Sequence, residues 1–395
     1  MIAKKMEHLV KNSSVIRAMF EEGKKMALER GSENVFDFSL GNPSVTPPSK
    51  VKEALIDIIN TEDENVLHGY MNNSGYEDVR KSIACSINNT YGTKFDENNI
   101  IMTVGAAGGL NVILKTIINP GDEVMVCAPY FGEYSNYISN YDGNKVVVEP
   151  NLDTFEPDLE DFERKISAKT KAVIINTPNN PTGVIYSEDT IKCIAKILDK
   201  KSKEYDTTIY LISDEPYREL VYNGEDVPYV TKYYNNTIVG YSYSKSLSLP
   251  GERIGYLVIP SELTYYNEVF DGACVANRIL GFVNAPSLIQ RAIMKCLDAK
   301  VDIDIYNKNR LCIYENLTSL GFECIEPKGA FYLFVKAPNG DDVDMANRAK
   351  KYGILIVPGS AFGCKGYCRL AYCVSYEKIE RSISEFEKLA NELIN

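Results

Sequence analysis

Short apolar runs that alternate with segments of helical spacing constrain this fold more than any other feature of the sequence. Ile100–Val104 leads into a glycine-rich stretch and an apolar helical segment reaching Ile118. Glu123–Cys127, Ala172–Ile175, Ile209–Ile212, Ile238–Tyr241 and Tyr256–Ile259 are further strand candidates of the same kind. A strand with one wet face alternates apolar and polar residues, whereas a strand covered on both faces is apolar almost throughout. The runs here are of the second type, and helices fall between them. They predict a mostly parallel sheet with helices on both sides.

Outside this region the pattern differs. Val15, Met19, Met26 and Leu28 recur at helical spacing between Ser14 and Arg30. Asp37-Phe-Ser-Leu-Gly-Asn-Pro43 reads as a strand entering a Gly/Pro loop. After Ala285 a long helical stretch runs to Leu320, and Phe322–Ile325 and Phe331–Val335 then resemble antiparallel strands. Ile354–Val357 and Cys368–Cys373 add two more, and Tyr376–Leu393 is an amphipathic helix. The expected architecture is α/β: a large domain over residues 46–290, and a smaller α+β domain from both chain ends, residues 1–45 and 291–395.

At 395 residues, with 45% hydrophobic and 25% charged side chains, the chain can bury a core that needs no metal or disulfide staple. A net charge of −11 argues against nucleic acid or an anionic membrane surface as partner. A few arginines can still dominate a pocket and hold an anionic substrate. The first residues, Met1 to Arg17, contain neither a continuous apolar segment nor a small-residue cleavage site, and no membrane-spanning run occurs. The ten cysteines are scattered without a C-x-x-C pair, which suits reduced thiols of a cytoplasmic protein. Cys364, Cys368 and Cys373 lie close together, but no histidine or fourth cysteine completes a zinc set. They read as strand and loop thiols, and no metal is expected.

Only two histidines, His8 and His68, are present, which removes most catalytic triads and zinc sites. Gly240-Tyr-Ser-Tyr-Ser244 lacks the closing glycine of a nucleophile elbow, and neither G-x-G-x-x-G nor a Walker A sequence occurs. Chemistry in such a chain calls for a borrowed electrophile.

The segment Ser242-Tyr-Ser-Lys245-Ser-Leu-Ser-Leu-Pro-Gly-Glu-Arg253 has what an aldehyde would need. A lysine amine just past a buried strand can form an imine, and desolvation would lower its pKa toward the reactive neutral form. Ser242, Ser244 and Arg253 together suit a dianionic phosphate. On these residues alone, a surface loop with an ordinary lysine and arginine stays open.

Gly105–Leu110, Asn180-Pro-Thr-Gly183, Asp214-Glu-Pro-Tyr217, Lys245, Arg253 and Arg369 occur in one order along nearly the whole chain. In that order and spacing they resemble the class I/II, aspartate aminotransferase-like enzymes of fold type I, which use pyridoxal 5'-phosphate (PLP). The resemblance implies that Lys245 carries PLP and that Asp214, just past a strand, keeps the pyridine nitrogen protonated. It assigns Tyr217 and Asn180 to the phenolate oxygen. Backbone N–H groups of Gly105, Ala106 and Ala107 would meet the phosphate at a helix start. Those two alanines stand where many relatives place a polar side chain, which leaves Ser242, Ser244 and Arg253 as the side-chain phosphate contacts. Phe131, in Pro129-Tyr-Phe-Gly, falls where the family stacks an aromatic on the ring, and Tyr70 where a neighbouring subunit reaches the phosphate.

For the substrate, Arg369 matches the arginine that takes the α-carboxylate through two parallel hydrogen bonds, and Gly41 matches a loop that closes over the site. Arg278 lies near where dicarboxylate-specific relatives place a second arginine from the partner subunit. If it faces the substrate, aspartate or glutamate is favoured; if not, alanine or another neutral amino acid. The implied protein is a homodimer, with Lys245, Asp214 and Tyr217 as catalytic residues. It would move an amino group from an α-amino acid to a 2-oxo acid such as 2-oxoglutarate. The same residues would also serve a PLP-dependent C–S β-lyase. A ligand-sensing, aminotransferase-like regulator would carry a DNA-binding domain ahead of this fold, where only about 40 residues precede the core.

Overall fold

The fold is that of a computed structural model, which describes residues 2–11 and 15–394. Its strands are β1 (Phe36–Asp37), β2 (Ile100–Thr103), β3 (Glu123–Cys127), β4 (Asn144–Val148), β5 (Thr170–Asn176) and β6 (Tyr210–Asp214). They continue with β7 (Thr237–Ser242), β8 (Gly255–Val258), β9 (Tyr332–Lys336), β10 (Ile354–Leu355), β11 (Val357–Pro358) and β12 (Tyr367–Ala371). Seven of them form one sheet in the order β2-β8-β7-β6-β5-β3-β4. β4, β3, β5, β6 and β7 are parallel, and β8 runs against both β7 and β2. A parallel return needs a long crossover. The link from β7 to β8 carries only the short helix Tyr243–Ser246 and a 3-10 turn, so β8 comes back antiparallel.

Every strand of this sheet except the edge strand β4 divides its side chains between two covered faces, as the unbroken apolar runs predict. Ile101, Ile174, Ile212, Ile238 and Leu257 pack on one face with Leu110 of the helix Gly105–Ile117. Val173, Leu211, Val239, Tyr241 and Tyr256 pack on the other. Each such aliphatic side chain contributes roughly 1.5–3 kcal/mol when fully buried. The parallel register sets Asn176 opposite Asp214, and Asp214 opposite Gly240. The carboxyl ends of β5, β6 and β7 therefore open side by side, where an open α/β sheet places its ligands.

A second sheet, β11-β12-β9, is antiparallel and centres Arg369 between Val357 and Phe334. β1 pairs in parallel with β10, which ties the early segment to the late one. These elements share a core with Phe38, Tyr217, Phe331 and Phe386.

Several expectations need correction. Phe322–Ile325 is not a strand; it makes a single bridge, Cys324 to Val335. Ile354–Val357 splits between two sheets, and the long helical stretch breaks into Ser287–Lys295 and Ile303–Ser319. Asp302 caps the second of these by accepting from the Asp304 N–H. Leu28 is 89% exposed, although Met19 and Met26 of the same helix, Val15–Arg30, are buried. Ser14 and the Val15 side chain lie outside the described residues. β4 is an edge strand whose first residues are exposed, so it lacks the continuous apolar run that marks its neighbours. Cys364 lies in a loop, Cys368 on β12 and Cys373 just beyond it. Among the described residues, no helix is long and apolar enough to cross a membrane.

Candidate active site

Where the two sheets face each other, a cavity of about 280 Å³ is lined by Lys245, Asp214, Tyr217, Asn180, Ser242 and Arg369, among others. Its floor is the set of parallel strand ends. Asp214 closes β6 and is buried; the Tyr134 hydroxyl donates to its Oδ2 at 2.6 Å, and its Oδ1 has no partner. Burial pushes the Asp214 carboxyl up to about 7, against the Tyr134 hydrogen bond. Asn176, at the end of β5, donates to the Asp214 carbonyl oxygen at 2.8 Å and accepts from the Asn180 N–H at 2.7 Å. The loop that carries Asn180 is thus tied to the strand that carries Asp214.

Lys245 sits on the one-turn helix Tyr243–Ser246, capped where the Ser244 N–H donates to the Ser242 hydroxyl. Its amine donates to the Gly41 carbonyl oxygen at 2.7 Å and lies 5.3 Å from the centre of the Phe331 ring. Burial, aided by Arg369 and Arg253, lowers it to about 8. That brings a useful fraction of neutral amine within reach near neutral pH.

One end of the cavity suits an anion. The Ser242 and Ser244 hydroxyls are 2.8 Å apart. Arg253 takes a left-handed backbone (φ 52°), which costs a non-glycine residue about 1 kcal/mol or more. The conformation aims its guanidinium at the start of the helix Gly105–Ile117, where it donates to the Val104 carbonyl oxygen at 3.2 Å. A Cβ on Gly105 (φ 77°) would stand 2.8 Å from Arg253 Nη2, so the approach requires glycine. Ala106 and Ala107 line the cavity above it, with Phe131 alongside.

The opposite end also suits an anion but is built differently. Arg369, on β12, is 2% exposed. It donates to Asn180 Oδ1 at 3.1 Å and to the Ser39 carbonyl oxygen, while Nε has no partner. Its guanidinium lies over Tyr332 (4.7 Å) and Phe362 (4.8 Å). No ion pair to Arg369 is present among the described residues, so a buried cation waits without its counter-ion.

Residues 33–386 match the family described as aminotransferase class I and II. The chain belongs to that family. It is 29% identical over 385 residues to the aspartate aminotransferase of Thermotoga maritima, covering 95% of this chain and 97% of that one. It is 30% identical over 392 residues to the aspartate aminotransferase of Pyrococcus horikoshii, covering 96% and 95%. An amino transferase structure from Eubacterium rectale superposes with a TM-score of 0.97 at 44% identity, over all of both chains. The Thermus thermophilus aspartate aminotransferase with maleate gives 0.84 at 27%, over 95% and 97%. The protein is a PLP-dependent aminotransferase with the α/β architecture of fold type I.

The residues fit that cofactor. Asp214 Oδ1 is a buried acceptor lacking a donor, as a protonated pyridine nitrogen would require. The cradle at Gly105, Arg253, Ser242 and Ser244 suits a phosphate, and Lys245 is an enclosed amine of lowered pKa.

In this aminotransferase, Gly41, Ala106, Ala107, Phe131, Asn180, Asp214, Tyr217, Ser242, Ser244, Lys245, Arg253 and Arg369 all face one cavity. Gly105 abuts it behind Arg253. Tyr70, 95% exposed, and Arg278, exposed in the last turn of the helix Tyr266–Ile279, do not line the cavity of their own chain. Sequence reading missed Tyr134, Asn176 and Tyr332. Asn176 was findable, because it ends a buried strand just as Asp214 does. Tyr134 touches an aspartate 80 positions away, and Tyr332 sits in an apolar strand; neither carries a local signal.

Proposed function

We propose that this aminotransferase takes the amino group of an α-amino acid, with aspartate the favoured donor, and delivers it to a 2-oxo acid such as 2-oxoglutarate. The observation that carries the reading is Arg369, a buried guanidinium without a carboxylate partner at the end of the cavity opposite the phosphate cradle. A fork of that kind pairs an α-carboxylate through two bonds.

PLP supplies the aldehyde that exchanges amino groups and the ring that takes up electrons as the Cα–H bond breaks. The chain's residues do the rest. Arg369 would hold the α-carboxylate, and Lys245 Nζ, lowered to about 8, would take the proton from the substrate Cα and deliver a proton to the carbon of the cofactor's aldehyde group. Asp214 Oδ1 accepts from the ring N–H, while Tyr217 and Asn180 are assigned to the phenolate oxygen. Ser242, Ser244, Arg253 and the Gly105–Ala107 backbone would hold the phosphate, Phe131 would lie against the ring, and the Gly41 loop would cover the substrate. Tyr70 and Arg278 are assigned to the active site of a second copy; their exposure in one chain supports a homodimer in which they are shared. The same reading divides the chain into residues 46–290 and residues 1–45 with 291–395. Ten unpaired thiols favour the cytoplasm.

A panel of amino donors against 2-oxoglutarate, pyruvate and oxaloacetate, scored by product mass, tests the assignment. Arg278→Ala is expected to lower kcat/KM for aspartate by roughly 10²-fold, the scale of a truncated charge pair, and to leave alanine within about twofold. An equal effect on both donors removes the aspartate preference. Pyruvate and ammonia released from a cysteine-type donor without an oxo acid would favour the C–S lyase.

A further inference from the structure

A second and larger cavity, about 540 Å³, lies on the face of the seven-stranded sheet turned away from Lys245. Alternation along β7 sends Ser242 to the active site and Tyr241 to this cleft. The short helix Tyr243–Ser246 is divided in the same way: Ser244 and Lys245 face the active site, while Tyr243 and Ser246 face the cleft. The helix Glu77–Tyr91 forms the far wall, and exposed Thr90, Asp226 and Lys300 stand at the mouth. The volume falls in the range that holds a small organic molecule.

Its charges do not balance internally. Arg218 is fully engaged: Nε donates to Glu215 Oε2 at 2.5 Å, and Nη1 and Nη2 donate to the carbonyl oxygens of Val227 and Pro228 at 2.9 and 3.0 Å. The guanidinium also stacks over Tyr91 and Tyr229. Glu219, beside it, forms no ion pair among the described residues; Arg218 and the Tyr241 hydroxyl favour its charged form, but its Oε2 is shielded from solvent with no hydrogen-bond partner. Tyr229 is 5% exposed and lines the same space, and its hydroxyl also has no partner. Two unsatisfied buried oxygens in one cavity are costly for a closed core but suited to a cationic ligand with an N–H donor. Tyr241, Tyr243 and Tyr256, packed against one another at centroid distances of 4.7 to 5.9 Å, supply aromatic surface beside them.

We propose that this cleft is a binding site for a small organic ammonium ion with an aromatic or apolar body. The ammonium group sits at Glu219 and Tyr229, and the body lies against the tyrosine cluster, where ring faces attract a cation as well. Burial holds the Glu219 carboxyl above the ordinary carboxylate range, and an arriving cation restores its charged form. The site makes no contact that the transamination reading requires.

The probe is N,N-dimethylphenethylamine, a tertiary amine that cannot condense with an aldehyde and so cannot report on the active site by that route. Calorimetric titration of the holoenzyme is expected to show saturable binding, one probe per chain. Glu219→Gln weakens it at least about tenfold, and Leu297→Trp, which fills the half-buried rim, abolishes it. Neither residue belongs to the catalytic machinery, so unchanged turnover shows that both variants are folded. Phenylacetate, the anionic counterpart, is drawn to Arg369 in the active site and should not displace the amine from the cleft. No saturable binding of the amine, equal affinity in wild type and both variants, or displacement of the amine by phenylacetate would each overturn the proposal.

Discussion

Asp214 and Arg369 stand at two ends of the active-site cavity, each buried and each with one polar atom left without a partner. Their surroundings are opposite in kind. Asp214 has a hydroxyl donor on one oxygen and relieves its burial by taking up a proton, which is why its carboxyl reaches about 7. Arg369 has no such escape, since a guanidinium stays charged in proteins. It is held instead by Asn180, by the Ser39 carbonyl and by two aromatic faces. The Asp214 end can therefore adjust its charge to whether a cationic partner is present. The Arg369 end is a permanent demand for an anion.

The sharpest way to break that contrast is to replace the fork. Arg369→Lys keeps a positive charge but loses the planar pair of donors and leaves Asn180 Oδ1 and the Ser39 carbonyl short of a partner. Losing one side of a buried, hydrogen-bonded charge pair costs roughly 2–5 kcal/mol. kcat/KM for the amino donor should fall by about 10²-fold or more, while PLP affinity, read from cofactor absorbance, holds. Weakened PLP binding, with kcat/KM for the donor restored by excess PLP, would show that Arg369 supports the fold rather than the carboxylate.

The two ends also differ in how readily a sequence discloses them. Asp214 is legible because a parallel sheet has a rule about where its strands end, and the apolar run Ile209–Ile212 announces the strand. Gly105 and Arg253 follow from the same logic, a helix start and a loop beside one sheet. The Arg369 end has no such rule. It joins β12 to a carbonyl 330 positions away, and an arginine in a strand carries no mark of being buried. Only the order of motifs along the chain pointed to it. The small sheet was misread for a related reason: Phe322–Ile325 has a strand's composition, but it forms one isolated bridge, Cys324 to Val335, and no ladder.

A smaller effect should expose Asp214 directly. Its carboxyl has a pKa of about 7 in the folded protein, and about 3.9 is expected once unfolded. Between those values the folded state binds the extra proton. The stability it contributes is complete below the unfolded pKa and is lost as the pH rises through 7. Cofactor-free wild type should therefore lose Tm relative to Asp214→Asn between about pH 5 and pH 8, by a few degrees. PLP, whose ring N–H would pair with the ionised carboxylate, should restore the wild type at the upper pH. A gap in Tm that does not change with pH would mean that Asp214 does not titrate in this window.

The smallest change tests what joins the two ends. Tyr332 puts its ring under Arg369 and its hydroxyl 2.8 Å from that of Tyr217, and the same hydroxyl occupies the space a Cβ on Gly41 would need. Tyr332→Phe keeps the ring, and with it the support of Arg369 and the edge-on packing with Tyr217. It deletes one hydrogen bond, about 1 kcal/mol net, so kcat should fall by about fivefold. KM for the amino donor should stay within about twofold, because the carboxylate fork is untouched. The split matters more than its size. A rise in KM with kcat unchanged would place Tyr332 on the Arg369 side of the cavity, as support for the fork. A fall in kcat alone places it with Tyr217, as the residue that sets that phenol against the cofactor while the substrate is held from the other end.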